Sequence, residues 1–262
     1  MPIPLLKLVP FTLAMNRGKT MSLGSTFRSM IVFGWVLLST AIVFGGEEAG
    51  KLLTVYNKGV GGENCREGRK RFDRDVLALK PDYVFIYFGL NDALNESKFL
   101  SEEEYVENLG WMVDQARKAG IKPILCTIHA VGEEALLKRH KQKSYGAEGP
   151  NGKLDRYNKA LGRLAKAKKV DVADFAGVAA AAEQKKTSLI SADGVHLTPS
   201  GHRALADCFF KVVAGEIVDK AAIVCLGDSV TWGAGVEGGG TTTGKTYPAY
   251  LLQMSGDGRS DP

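Results

Sequence analysis

Cysteine is scarce. Only Cys65, Cys126, Cys208 and Cys225 occur in 262 residues, and no two form a CxxC pair. That leaves no metal-ligand spacing to build a zinc site on. Cys126 and Cys225 fall in apolar runs, where a buried free thiol is the ordinary occupant. One disulfide remains open to an exported chain, and its pairing cannot be read from spacing. Histidine is as sparse, with His129, His140, His196 and His202, so the choice of a general base is narrow. Internal repeats and a second domain are both absent, and 262 residues suffice for one domain with a substantial core.

Acidic residues are missing from the first 46 positions, which carry Lys7, Arg17, Lys19 and Arg28. These four account for most of the formal charge of +5. Of 34 basic and 29 acidic residues in the chain, 30 and 29 lie beyond them. A near-neutral remainder excludes the basic footprint of a nucleic-acid binder. The one apolar run of any length, Met30 to Phe44, follows Arg28 and leads into the small residues Gly45-Gly46. It is short for a membrane span and reads as a secretory signal peptide over residues 1–46, with Met15 or Met21 as possible starts. An uncleaved N-terminal anchor is the alternative. The expectation is a secreted or periplasmic domain over residues 47–262, without stable membrane association once the signal is cleaved.

What the chain does hold is an alternation of short apolar runs with helical patterns. The runs are Leu52–Asn57, Tyr83–Gly89, Lys122–Ile128, Val170–Phe175 and Ile223–Gly227. Tyr83 to Phe88 is apolar throughout rather than alternating, as a parallel strand covered on both faces should be. Ser101 and Glu104 form a capping-box pattern for a helix through Ala119, with Gly120 placed to end it. Leu154, Tyr157, Leu161, Leu164 and Ala165 share one helical face between Lys153 and Lys168. Pro199 suits the first turn of a helix to about Ala214. Lys141–Gly152 and Gly238–Gly240 read as surface loops. Strands alternating with helices predict a three-layer α/β/α fold around a five-stranded parallel sheet.

Four segments carry chemistry. Gly227-Asp228-Ser229-Val230-Thr231 follows a strand, which presents Ser229 at the sheet's C-terminal edge, where open α/β sheets bind ligands. Asp193-Gly194-Val195-His196 sets a carboxylate three residues before an imidazole, a spacing that lets the acid orient the base. Asn57–Asn64 contains the glycines that leave the Gly62 N–H free to face a ligand. Gly89-Leu90-Asn91-Asp92 brings the Asn91 amide to the same edge. Each has a bland alternative: a helix-capping serine, an Asx turn before the Pro199 helix with His196 exposed, a glycine turn, an Asn-Asp cap. His202 reads as a surface residue of the Pro199 helix. Together they supply a nucleophile, a base, its carboxylate and two oxyanion donors.

The blocks GDSVT, GVGGEN, GLND and DGVH resemble the four signature blocks of the SGNH/GDSL hydrolases, a resemblance that spans Leu52 to Leu252, nearly all of the expected mature chain. The resemblance implies a flavodoxin-like α/β fold and ester hydrolysis, with Ser229 as nucleophile, His196 as base and Asp193 as its partner. Ser229, Gly62 and Asn91 would form the oxyanion hole. One departure is Asn64, where the family often has Thr or Ser. The larger departure is order, because the nucleophile block normally comes first and here comes last. The chain resembles a circularly permuted member, joined across Gly215–Ala222, a stretch able to reach roughly 25 Å. Domain termini are often close enough for such a join. A fragment of two tandem domains would give the same order, but the signal-like segment before the first strand opposes it.

The resemblance implies a serine esterase that works through an acyl-enzyme and needs no metal or organic cofactor. Export directs expectation to an acetyl ester on an extracellular carbohydrate. A small-molecule ester fits the same chemistry, and a lysophospholipase, short-chain lipid esterase or thioesterase is the alternative. A carbohydrate-binding relative without activity is opposed by the intact set of residues. Trp232 and Trp111 suit either sugar stacking or packing. Neither glycine cluster matches the GxxxxGK[ST] phosphate loop.

Overall fold

In the computed structural model, which describes residues 53–254, the five apolar runs become one parallel sheet. Its strands are β1 (Thr54–Gly59), β2 (Tyr83–Tyr87), β3 (Lys122–Cys126), β4 (Asp171–Ala173) and β5 (Ala222–Gly227). They lie side by side in the order β1-β5-β2-β3-β4. All five residues of β2 are buried, as continuous apolarity requires. The signal-like segment 1–46 lies outside the described residues.

Among the described residues ten α-helices lie between the strands or after the last of them: α1 (Cys65–Lys70), α2 (Phe72–Asp75), α3 (Leu90–Leu94), α4 (Glu102–Lys118) and α5 (Glu133–Leu137), then α6 (Gly149–Lys168), α7 (Phe175–Gln184), α8 (Pro199–Val213), α9 (Ser229–Trp232) and α10 (Tyr247–Gln253). One layer packs α1, α4 and α6 together, and the other packs α7, α8 and α10. The Ser101–Glu104 capping box is made, and Thr198 caps α8 ahead of Pro199. On the α8 side, Phe85 of β2 stacks on Phe209, with ring centroids 4.5 Å apart, and Phe209 in turn meets Tyr247 of α10.

The last strand in sequence is inserted between the first two. β5 pairs with β1 from Thr54↔Ala222 to Gly59↔Gly227, and with β2 from Tyr83↔Ile223 to Tyr87↔Gly227. Gly59, Tyr87 and Gly227 therefore end level with one another, and the loops that follow them emerge at one edge. Gly227 must lack a side chain, since a Cβ there would stand 2.0 Å from Thr231 Oγ1 and 2.5 Å from the Tyr87 carbonyl.

Two expectations are corrected. The Lys141–Gly152 stretch is not a plain loop: a 3₁₀ segment, Gln142–Glu148, runs into α6, which begins at Gly149. Pro150 is tolerated in a first turn, where its missing N–H has no intrahelical partner to lose. Buried Tyr145 anchors the segment by donating to the Leu94 carbonyl at 2.7 Å. His202 is not on the surface of its helix but fully buried. It shares the inner face of α8 with Leu205, Ala206 and Phe209, three, four and seven residues on. Burial pushes its imidazole down to about 4, so the ring is neutral, and Nδ1 accepts the Tyr247 N–H.

Candidate active site

Each strand that ends at the shared edge contributes to one cleft of about 410 Å³. Gly227 passes to Asp228, whose carboxylate caps α9 by accepting the Val230 N–H at 2.9 Å. Ser229 follows as the first residue of that helix, with its backbone N–H among those that have no intrahelical acceptor. β1 passes to the glycine segment, where a Cβ on Gly61 would stand 4.0 Å from that of Ser229. The Gly62 N–H, at φ +78°, has no hydrogen-bond partner among the described residues. β2 passes to Gly89 and α3, which carries Asn91.

The loop before α8 supplies the remaining groups. Asp193 Oδ1 accepts the Val195 N–H at 2.8 Å, the His196 N–H at 2.9 Å and the Ser191 hydroxyl at 2.7 Å. This is the Asx turn that the spacing allows. Oδ2 is 2.5 Å from His196 Nδ1, and His196 Nε2 is 3.0 Å from Ser229 Oγ. The turn and the acid–base pair are one structure, each using a different carboxylate oxygen. Burial by itself would raise Asp193, but hydrogen bonds from His196, Ser191, and the Val195 and His196 N–H groups outweigh it and hold the carboxyl far below the usual range. An ionised Asp193 accepts Nδ1–H and leaves the Nε2 lone pair facing the serine.

The Asn91 amide donates to the Glu63 carbonyl at 2.9 Å and lies 3.5 Å from Asp228 Oδ2. An amide nitrogen has two hydrogens, and these two acceptors engage both, the Asp228 contact being the longer, with Asn91 among the residues that line the cleft. Asn64 caps α1 and donates to the Lys98 carbonyl at 2.8 Å, which ties the glycine segment down.

Other groups at this edge left no trace in the sequence patterns. Arg71, only 7% exposed, donates to Glu63, Asp75, the Lys58 carbonyl and the Gly227 carbonyl, lacing the glycine segment to β5. Arg139 donates to the Asp193 carbonyl at 2.8 Å and, with Asn95 and His140, forms a polar wall of the cleft. Leu90, Leu94 and Leu136 form the apolar one. Burial raises Asp228 to about 7 and Asp92, beneath α3, to about 6.

Neither candidate stacking tryptophan lines the cleft. Trp232 covers Gly239 and Gly240, and Trp111 packs edge-on against Phe72 under the Arg69 guanidinium. Among the described residues, no cluster of His, Cys, Asp and Glu is arranged to hold a metal, and all four cysteines are free. No described helix is long and apolar enough to cross a membrane.

The chain is similar to known proteins in sequence and in fold. "Uncharacterized lipoprotein YqeF" of Bacillus subtilis (strain 168) is 34% identical over 171 residues, 58% of this chain and 70% of that protein. An acetylxylan esterase of Geobacillus stearothermophilus is 28% identical over 177 residues, covering 63% and 74%. In fold, the crystal structure of the acetyl xylan esterase AlAXEase superposes with a TM-score of 0.51 at 24% identity, covering 59% of this chain and 78% of that one. Residues 46–204 match the GDSL-like Lipase/Acylhydrolase family, a match that ends before Ser229. The chain belongs to that family and is a carboxylic ester hydrolase.

Proposed function

We propose that the protein is a serine esterase in which Ser229, His196 and Asp193 act as a triad and acetyl groups on a carbohydrate are the substrate. The observation that carries this is the continuous line from Asp193 Oδ2 through the imidazole to Ser229 Oγ, at 2.5 and 3.0 Å. His196 Nε2 takes the Ser229 proton as Oγ bonds to the ester carbonyl carbon. The oxyanion so formed is received by the N–H groups of Gly62 and Ser229 and by the Asn91 amide, each worth about 3–4 kcal/mol in such a site. The carbon–alkoxy bond then breaks, and the proton passes from Nε2 to the leaving alcohol. Water, deprotonated by His196, attacks the acyl carbon, the bond to Ser229 Oγ breaks, and Nε2 returns the proton to Oγ as the acid leaves. Every step is met by side chains and backbone already at the cleft.

The acetylxylan esterase relative supports an acetylated carbohydrate, and so does the division of the cleft. Leucines face a small acyl group, while Asn95, Arg139 and His140 offer donors to hydroxyls. The lipoprotein relative supports a substrate outside the cytoplasm, reached by export through the basic-then-apolar segment 1–46. The chain is a circular permutant on this reading. Its family match stops short of the nucleophile block, while β5 carries that block between β1 and β2.

Hydrolysis of p-nitrophenyl acetate by the full chain tests the proposal. Ser229→Ala should lower kcat on the order of 10³-fold or more while circular dichroism stays unchanged. A mass increase of one acetyl group on quenched wild-type protein should map to Ser229. Undiminished turnover by folded Ser229→Ala would overturn the assignment. Release of acetate from acetylated xylo-oligosaccharides, but not of fatty acid from lysophospholipid, is the expected substrate outcome.

A further inference from the structure

The loop that carries Asp193 and His196 is held by its carbonyls, one after another. Asp193 O accepts from Arg139 Nη2 at 2.8 Å, Gly194 O from the Gly132 N–H at 2.8 Å, and Val195 O lies 2.8 Å from His129 Nε2. All three donors come from the segment that follows β3. His196 O accepts the Ser191 N–H at 2.7 Å and closes the turn on itself.

The His129 contact is the buried one. The ring has no exposure, and it packs edge-on against Phe175, 5.7 Å between centroids. Its Nδ1 is 2.5 Å from the Tyr87 hydroxyl, at the end of β2 and level with Gly227. Chemistry assigns the protons along this chain. A carbonyl oxygen only accepts, so Nε2 carries hydrogen and donates to Val195 O. The neutral ring then has a bare Nδ1, which accepts the Tyr87 O–H. Burial pushes the imidazole down to about 4, which keeps it neutral, and lifts the Tyr87 phenol well above its ordinary value, which keeps it a donor. His129 is therefore no second base. Both of its nitrogens are committed.

Val195 O belongs to the peptide group whose nitrogen is that of His196. That one plane is gripped on both sides: its N–H donates to Asp193 Oδ1 and its C=O accepts from His129 Nε2. That plane fixes the His196 N–Cα bond, the Ser191 N–H held by His196 O fixes the plane on the other side, and the two together set the Cα–Cβ direction, while Asp193 Oδ2 holds the ring turned toward Ser229 Oγ.

We propose that Tyr87 and His129 form a buried positioning relay that sets the His196 peptide plane, and through it the aim of the imidazole at Ser229. The inference rests on the triad reading for its kinetic consequence, but not for its proton assignment. Both can be measured in the full chain. Nitrogen-15 spectra of the histidine side chains should show His129 as the Nε2–H form, with no titration between pH 5 and 9. The Nδ1–H form, or titration near the ordinary histidine value, would overturn the relay.

In kinetics with p-nitrophenyl acetate, His129→Leu should lower kcat on the order of 10- to 100-fold at near-constant KM, because aim is lost rather than binding. His129→Gln keeps a donor for Val195 O and should recover kcat to within about fivefold of wild type. Tyr87→Phe leaves Nδ1 unsatisfied, but the Val195 carbonyl still requires hydrogen on Nε2, so the Nε2–H signal should persist and kcat should fall less than in His129→Leu. Folded His129→Leu with wild-type kcat, or with its defect confined to KM, would sink the proposal. A folded His129→Gln as impaired as His129→Leu would do the same. Should His129→Leu not fold, the wild-type tautomer and the His129→Gln rate decide the matter. Turnover persisting in Ser229→Ala would instead remove the triad reading and leave the tautomer result standing.

Discussion

Asp193 divides its labour between two oxygens. Oδ1 holds the turn through three donors, and Oδ2 takes the His196 Nδ1–H. Asp193→Asn separates these roles. The asparagine carbonyl can still accept from the turn, but its amide can only donate toward Nδ1, which forces hydrogen onto Nε2 and faces Ser229 with a donor. On the triad reading, kcat should fall about 10³- to 10⁴-fold with near-wild-type stability. The ratio of rate loss to stability loss, from kinetics and urea denaturation, checks it. The hydrogen bonds that depress Asp193 keep it ionised through the acid range, so its protonation should not set the acid limb of activity. At this scale the sequence was legible where partners are near in the chain. Asp193 and His196 lie within one turn, and their spacing reveals them. His129, Arg71 and Arg139 reach the site through partners 66, 156 and 54 residues away, and no local pattern records that.

Elements were legible to the extent that their signals are local. Capping residues placed α4, and continuous apolarity placed β2. The start of α6 was hidden because the turn before it is anchored by Tyr145 through a distant carbonyl rather than by any periodic pattern. His202 was misplaced for a related reason, since a polar residue in a helix reads as exposed until α10 is seen to cover it. The element that matters most is the loop of Asp193 and His196, and Gly194 is its weak point. Its φ is +79°, and a Cβ there would stand 2.5 Å from the Gly132 carbonyl oxygen. Gly194→Ala should therefore cost about 1–3 kcal/mol and pull the Gly132–Gly194 contact apart. Gly162, exposed in α6 with open space around its Cβ position, is the contrast. Gly162→Ala should stabilise by about 0.5–1 kcal/mol. Urea midpoints moving in opposite directions, with esterase activity reduced only in the first, would match the two environments.

For the whole molecule, the predicted five-stranded parallel sheet is present, and its order explains how the segment of Ser229 after β5 reaches the segments after β1 and β2. A central β5 closes the site, but at a cost: two carboxyls, Asp92 and Asp228, are buried under the edge it completes. Asp92 Oδ1 accepts the Cys65 N–H at 3.0 Å, and Oδ2 has no hydrogen-bond partner among the described residues. Burial raises Asp92 to about 6 and Asp228 to about 7, against an ordinary 3.8. Between those values the folded chain binds more protons than the unfolded one, so these two groups make stability fall as pH rises from about 4 to about 7. Above that range the loss is complete, and below it there is none. For Asp92 alone the difference amounts to about 3 kcal/mol. Asp92→Asn removes the titration and keeps an acceptor for Cys65, while its amide brings a fixed penalty that does not depend on pH. The variant's stability relative to wild type should therefore improve by about 3 kcal/mol between pH 4 and pH 8, whatever its offset. Urea denaturation at the two pH values measures this directly. A relative stability that stays constant across the range would mean that Asp92 is solvated in the native state.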